Sequence, residues 1–137
     1  MLFDQYKSEL IQEINNLENE SLDKLVDAIM ETYRKNKTVY VFGNGGSAAT
    51  ASHFQCDMGK GTQVEGQKRL RVLSLTDNIA IMSAISNDIS YDDIFAYQLE
   101  NLVEEGDLVV GISASGNSEN VIRAMKIARQ SNARTFA

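Results

Sequence analysis

Two segments rich in glycine and serine carry the residues best suited to chemistry. The first, GNGGS (43–47), follows the apolar run TVYVF and opens a helical stretch. A strand that enters a helix through such a turn brings free backbone N–H groups and the positive end of the helix dipole to one point, which suits a phosphate. The pattern Gly43-x-Gly45-x-x-Ala48 also satisfies the loose dinucleotide-binding fingerprint. This turn alone therefore leaves open a phosphosugar site, a dinucleotide site and a purely structural turn.

The second segment, SASGNS (113–118), follows the apolar run DLVVGI in the same way. Its serine hydroxyls can donate hydrogen bonds to phosphate oxygens beside another helix start. In open parallel sheets, ligands bind outside the carboxyl ends of the strands, where two such turns converge. A dinucleotide site would use Asp77 as its acidic ribose partner but would leave the serine-rich turn without a role. A Walker-type nucleotide site is excluded because the chain lacks Gly-Lys-[Ser/Thr].

A third constellation lies on the helix that follows the first turn. His53, the only histidine, precedes Asp57 by four residues, so both side chains are predicted on one helix face. That spacing suits a metal pair or a proton-transfer pair. A surface ion pair or a subunit contact is the alternative. Cys56, the single cysteine, cannot form an internal disulfide and is expected to fill a small buried apolar position.

Hydrophobic periodicity predicts the helices and strands that position these residues. Apolar residues at spacings of three and four predict a helix over 2–17, and a second helix is predicted from Ser21 as N-cap. These helices can form a bundle across a subunit interface or pack on their own sheet. Short apolar runs predict strands at 38–42, 70–75, 107–112 and 133–137, and helices are predicted at 47–58, 78–85, 91–104 and 118–131. Ser90 and Asp93 resemble a capping box at the start of the 91–104 helix.

This alternation predicts an α/β fold with a parallel sheet covered on both faces. The 137 residues suit one domain, with a helical pair over 1–36 and an α/β core over 37–137. Because the chain stops within the fourth predicted strand, a last strand and helix are expected to be missing. The net charge of −6 argues against nucleic acid, and no apolar run approaches the roughly 20 residues of a membrane span. A cytoplasmic location is expected.

The segments GNGGSAATASHF, SAISNDISYDDIFAYQ and GISASGNSENVI resemble the sugar isomerase (SIS) domain of phosphoheptose isomerases. The resemblance covers essentially the whole chain. It implies a parallel αβα sandwich of flavodoxin-like or Rossmann-like type, assembled as a homotetramer with active sites between subunits. It also implies conversion of sedoheptulose 7-phosphate to D-glycero-D-manno-heptose 7-phosphate through an enediol(ate), for surface polysaccharide synthesis.

The resemblance also assigns site residues. Those implied to line the sugar-phosphate site, hold the phosphate or contact the sugar are Asn44, Gly45, Gly46, Ser47, Asn87, Asp88, Ser113, Ala114, Ser115 and Ser118. Ala114 departs from the hydroxyl residue that is usual in the family. A water can replace the missing hydrogen bond, and otherwise the loss weakens binding by about 1.5–3 kcal/mol.

The resemblance gives His53 the role of a zinc ligand. It places Asp57 where the family has a glutamate that serves as metal ligand and acid/base, so the carboxylate here is one methylene shorter. A glutamine and a second histidine that complete the family's set fall beyond Ala137, and the 137-residue chain is therefore expected to lack a complete active site. The alternative function is a non-catalytic SIS protein that binds a phosphosugar or a protein partner, as replication-initiator-associating members do. The shorter Asp57 favours that alternative.

Overall fold

The computed structural model describes residues 1–137 and contains one four-stranded parallel sheet in the order β2-β1-β3-β4. The strands are β1 (Thr38–Gly43), β2 (Arg71–Ser74), β3 (Leu108–Ile112) and β4 (Arg134–Phe136). Five of the six β1 residues are buried, as expected for a central strand with helices on both faces. The predicted parallel α/β fold is confirmed.

Six α-helices and two short helical turns connect and flank the strands. They are α1 (Leu2–Asn16), α2 (Asn19–Arg34), α3 (Gly46–Cys56), a π-helical turn (Asp57–Gly61), α4 (Ile79–Asp88), a 3-10 turn (Tyr91–Asp93), α5 (Ala96–Leu102) and α6 (Glu119–Gln130). The N-cap of α2 is Glu18, so the prediction that Ser21 caps this helix is wrong. The helical signal begins earlier because Asn19 and Glu20 already form the first turn.

The helix predicted over 91–104 is divided into the 3-10 turn and α5, which begins at Ala96. The Ser90 hydroxyl accepts a hydrogen bond from the Asp92 N–H, at 3.0 Å. The Asp93 carboxylate contacts Arg123 of α6 instead of reaching back to Ser90, so the predicted capping box does not form. A contact between distant elements therefore replaces the local cap.

The two faces of the sheet carry separate hydrophobic clusters. On one face, Phe42 stacks on Phe95 with ring centroids 4.8 Å apart, within a larger cluster that α4, α5 and α6 cover. On the other face, Ala28 of α2 packs with Val39 and Leu108. Each cluster anchors the strands whose carboxyl ends lead into the GNGGS and SASGNS turns.

The two N-terminal helices differ in how they pack. The α2 helix buries Ala28 and Thr32 against the sheet, whereas α1 has no buried residue. The apolar stripe of α1 is solvent-exposed: Leu2, Phe3, Tyr6, Leu10, Ile11, Ile14 and Leu17 are each 47–85% exposed. The predicted alternative in which both helices pack on their own sheet is therefore wrong for α1.

Cys56 is exposed, so the prediction that it fills a small buried apolar position is wrong. Only Ala51 of α3 is buried, and Cys56 lies at the helix end, where the chain turns into the π-helical segment.

None of the helices combines the length and apolar character that crossing a lipid bilayer requires.

Candidate functional site

The two glycine- and serine-rich turns lie side by side in the structure. The β1 and β3 strands are neighbours, and Gly43 pairs with Ile112, the last residue of β3. The chain leaves β1 to build β2 on one side and then returns to build β3 on the other. The space outside β1 and β3 is therefore the topological switch point, where open α/β sheets bind their ligands. GNGGS and SASGNS are the segments that border it.

Glycine is required at two positions of the first turn for different reasons. A Cβ atom at Gly43 would lie 2.6 Å from the Ile112 carbonyl oxygen and 2.6 Å from the Ser47 Cβ, so only glycine allows this approach to β3. Gly45 has φ 56° and ψ −120°, a conformation that side-chain-bearing residues avoid. The chain can therefore reverse sharply and start α3 at Gly46.

The first turn leaves N–H groups free for a ligand. Its internal hydrogen bonds run from the Ser47 N–H to the Asn44 carbonyl and from the Ala48 and Ala49 N–H groups to the Gly45 carbonyl. These bonds do not use the N–H groups of Gly45 and Gly46, which precede the first intrahelical donors. Both glycines are exposed, whereas Ser47 is half-buried. This end of α3 therefore offers amide donors and the positive end of a helix dipole.

The second turn gathers three hydroxyl groups. Ser113 Oγ lies 3.2 Å from Ser118 Oγ and 3.5 Å from Ser115 Oγ. Ser118 is the N-cap residue of α6, but its side chain makes no capping hydrogen bond and remains directed to Ser113. Ala114 is exposed and adds no side-chain donor. Three hydroxyls beside a helix N-terminus form an arrangement suited to phosphate oxygens.

The Asn44 side chain connects the first turn to α6 and to the 3-10 turn. Its Nδ2 donates to Asn120 Oδ1 at 2.9 Å, and its Oδ1 accepts from Asn120 Nδ2 at 2.9 Å and from the Tyr91 hydroxyl at 3.0 Å. Sequence analysis did not assign Tyr91 or Asn120 to the site. They lie 47 and 76 residues from Asn44 along the chain, and no local pattern signals such contacts.

An ion-pair cluster secures the 3-10 turn that carries Tyr91. The Arg123 guanidinium donates to both Asp93 oxygens, at 2.9 and 3.0 Å, and to Glu119 at 3.0 Å. The hydrogen bonds that Arg123 donates to Asp93 and, to a lesser extent, to Glu119 raise the pKa of Arg123 above its usual value, so the guanidinium stays charged. Arg123 thereby ties the 3-10 turn to α6, the helix that holds Asn120.

The model of the SIS domain family matches residues 3–137. The chain belongs to this SIS domain family. It is 43% identical over 122 residues to a probable phosphoheptose isomerase of Thermoplasma acidophilum, covering 89% of this chain and 66% of that relative. It is 39% identical over 128 residues to a phosphoheptose isomerase of Aliarcobacter butzleri, covering 93% of this chain and 67% of that relative.

Solved structures support the same family assignment. The SIS domain matches phosphoheptose isomerase GmhA from Neisseria gonorrhoeae with a TM-score of 0.85 and 30% identity, over 98% of this chain and 73% of that one. It matches a phosphoheptose isomerase from Francisella tularensis with a TM-score of 0.85 and 26% identity. The resemblance seen in the sequence motifs is confirmed. The chain spans 66% of the length of the Thermoplasma acidophilum relative and 59% of the length of a probable phosphoheptose isomerase of Thermoplasma volcanium.

His53 and Asp57 of the SIS domain form the contact that their spacing predicts. His53 Nε2 lies 3.2 Å from Asp57 Oδ2, although α3 gives way to the π-helical turn at Asp57. Their side chains are 77% and 64% exposed, so both remain open to a ligand or a neighbouring molecule. The geometry is compatible with proton transfer and with a surface ion pair.

The donor set does not by itself fit a zinc site. Catalytic zinc in proteins has three protein ligands and an open position. No group of three or more His, Cys, Asp or Glu side chains in the chain is arranged to hold a metal ion. The His53–Asp57 pair supplies two donors only, so zinc binding stays a prediction that needs at least one further ligand.

The structure does not join the remaining predicted sugar contacts to the two turns. Asn87 and Asp88 are exposed at the end of α4, where Asn87 Nδ2 donates to Asp88 Oδ1 at 2.7 Å. Their sugar contacts stay predictions. Asp77, the residue that a dinucleotide would need, accepts a hydrogen bond from the Ser52 hydroxyl of α3. That bond engages one oxygen of the carboxylate and weakens the dinucleotide interpretation.

Proposed function

We propose that the protein is a phosphosugar isomerase that converts sedoheptulose 7-phosphate to D-glycero-D-manno-heptose 7-phosphate. The observation that carries this proposal is the convergence of Ser113, Ser115 and Ser118 with the GNGGS turn at the switch point of the sheet. The family's relatives named phosphoheptose isomerase support it. The product would enter surface polysaccharide synthesis.

The proposed reaction moves a proton between neighbouring carbons. A base removes the proton next to the carbonyl, an enediol(ate) forms, and a proton returns to the adjacent carbon. Asp57 is the proposed base, and His53, at 3.2 Å, is placed to orient its carboxylate. The serine hydroxyls and the free amides at the two helix starts would hold the phosphate.

The serine turn provides the direct test of substrate class. Replacing Ser113, Ser115 and Ser118 together with alanine is expected to weaken binding of sedoheptulose 7-phosphate at least about 100-fold, because hydrogen bonds to a charged group are lost. Calorimetric titration measures the affinity, and NMR of the sugar measures isomerisation by the unsubstituted protein. Ser131→Ala, at the far end of α6, is the matched control. Unchanged affinity in the triple variant would contradict a phosphate site here.

A non-catalytic SIS protein is the second candidate. The shorter carboxylate at Asp57 favours it. Tight binding of the sugar phosphate without any isomerisation would support this candidate over the isomerase. A cytoplasmic location is proposed for either function, in keeping with a single cysteine that has no internal disulfide partner.

We propose a homotetramer in which α1 meets another copy of the chain. The exposed apolar stripe of α1 has no partner within its own subunit. An apolar groove of about 490 Å³ lies on α2 and the segment after the π-helical turn, lined by Val26, Ile29, Met30, Tyr33, Val64 and Leu70 among others. We infer that the apolar stripe of α1 from a neighbouring subunit packs into this groove.

A charge placed on the α1 stripe tests the assembly. Leu10→Glu is expected to dissociate the tetramer, because a carboxylate buried in an apolar interface without a partner is costly. Sedimentation equilibrium measures the mass. Gln12→Glu adds the same charge on the polar side of α1 and should leave the assembly intact. A tetramer that survives Leu10→Glu would show that α1 does not contribute to the interface.

A further inference from the structure

The hydrogen-bonding capacity of the Asn44 amide is almost filled within the protein. An asparagine side chain offers two N–H donors and a carbonyl oxygen with two lone pairs. Asn44 Oδ1 accepts from both the Tyr91 hydroxyl and Asn120 Nδ2, so both lone pairs are used. Asn44 Nδ2 donates once, to Asn120 Oδ1. One N–H of Asn44 is left, on a half-buried residue at the carboxyl end of β1.

Asn120 determines the orientation of the Asn44 side-chain amide. Asn120 is 2% exposed, and its Oδ1 also accepts from the Val121 N–H at 2.9 Å. That backbone donor fixes which end of the Asn120 amide carries the oxygen. A flipped Asn44 would set its nitrogen against the nitrogen of Asn120 and would lose the bond from Tyr91. Only one orientation of Asn44 satisfies all of these partners.

Tyr91 is held in place by a contact between its 3-10 turn and α6. It is the first residue of the 3-10 turn whose last residue, Asp93, is bound twice by Arg123 of α6. Asn120 lies on the same helix, one turn earlier than Arg123. The donors to Asn44 Oδ1 therefore come from two elements that are fixed to each other.

We propose that Tyr91 and Asn120 are positioning residues that make Asn44 a pure hydrogen-bond donor toward the crevice. The site would therefore select a ligand that presents an acceptor oxygen at this point, namely the carbonyl of a phosphosugar or the oxyanion that develops from it. Donors aimed where negative charge develops are an established source of rate enhancement. This inference rests on the proposed isomerase function for its catalytic consequence, whereas the fixed amide is a property of the free protein.

The Tyr91→Phe variant tests the inference because it removes only the hydroxyl. The matched control is Tyr97→Phe, since the two tyrosines are 54% and 53% exposed and Tyr97 makes no side-chain hydrogen bond. In the protein without ligand, the side-chain amide NMR signals of Asn44 and Asn120 are expected to shift in Tyr91→Phe and to stay in place in Tyr97→Phe. Unchanged signals in Tyr91→Phe would overturn the proposed network.

The functional arm compares a sugar phosphate with inorganic phosphate. In Tyr91→Phe, kcat and the affinity for sedoheptulose 7-phosphate are each expected to fall about fivefold, the scale of one lost hydrogen bond. The affinity for inorganic phosphate, which needs only the helix starts and the serine hydroxyls, is expected to stay the same. An equal loss for both ligands would mean general damage to the site and would overturn the positioning role.

The two arms separate this inference from the proposed function. An unsubstituted protein that binds the sugar phosphate without isomerising it would contradict the isomerase, while the amide signals and the ratio of the two affinities would still decide the role of Tyr91. Asn44→Asp extends the test, because a carboxylate has no N–H to donate. It is expected to reduce sugar phosphate affinity more than Tyr91→Phe does, and equal or smaller reduction would contradict a donor role for Asn44.

Discussion

Replacing Gly43 with alanine is expected to lower the free energy of unfolding by about 3 kcal/mol, at the upper end of the usual cost of overpacking. The added Cβ would lie 2.6 Å from the Ile112 carbonyl oxygen and 2.6 Å from the Ser47 Cβ. Neither atom is the end of a flexible side chain, so the conflict cannot be relieved by a rotamer change. The first turn must move away from β3 or the β1–β3 pairing must open at this end.

The displacement should also be visible in binding. The two turns hold their positions through the pairing of Gly43 with Ile112, so separating them would weaken sedoheptulose 7-phosphate binding at least about tenfold, the effect of losing one good hydrogen bond to a charged group. Urea denaturation and calorimetric titration measure the two effects. Gly61→Ala is the control, because a Cβ there meets nothing within 4 Å and the backbone is not left-handed. Equal stability of the two variants would contradict the close approach.

The features of the fold that were predictable are those encoded within short stretches. The runs 38–42 and 107–112 are almost entirely apolar because helices cover both faces of the sheet, and this signal identified the central strands. Glycine and serine in the turns that follow are likewise local signals. The rule that ligands bind beyond the carboxyl ends of parallel strands then predicted that the two turns lie side by side, and the pairing of Gly43 with Ile112 confirms that placement.

The features that escaped prediction depend on partners distant in sequence. The side chain of Asn44 reads as a free ligand-binding group, yet it is bonded to Tyr91 and Asn120. Asp93 reads as part of a local cap, yet its carboxylate pairs with Arg123, thirty residues away. In both cases a tertiary contact outcompetes the local interaction that sequence rules describe. The exposed stripe of α1 is a third case, since a periodic pattern predicts an apolar face without indicating which surface covers it.

Replacing Asp57 with asparagine is expected to reduce turnover of sedoheptulose 7-phosphate by about 100-fold to 10,000-fold, the usual contribution of a positioned general base. The substitution keeps the shape of the side chain and removes its basicity. Sugar phosphate affinity should change little, because the phosphate is held by the serine turn. A loss confined to kcat is therefore the expected signature, measured by NMR of the isomerising sugar.

The control for this variant is an exposed carboxylate outside the proposed site. Glu105→Gln removes one exposed carboxylate just before β3, far along that strand from the crevice, and should leave kcat unchanged. If Asp57→Asn retained full turnover, the contact with His53 would be only a surface ion pair, and the base would have to lie elsewhere.

The length of the Asp57 side chain then decides between the two candidate functions. If the protein isomerises the sugar and Asp57→Asn does not, a carboxylate one methylene shorter than glutamate suffices as the base. If the unsubstituted protein binds without turnover, Asp57→Glu asks whether reach alone is missing. Turnover gained by that variant would mean that the shorter side chain had silenced an isomerase site. No gain in a chain that also carries the family's glutamine and second histidine would support the non-catalytic SIS protein, which binds the phosphosugar without converting it.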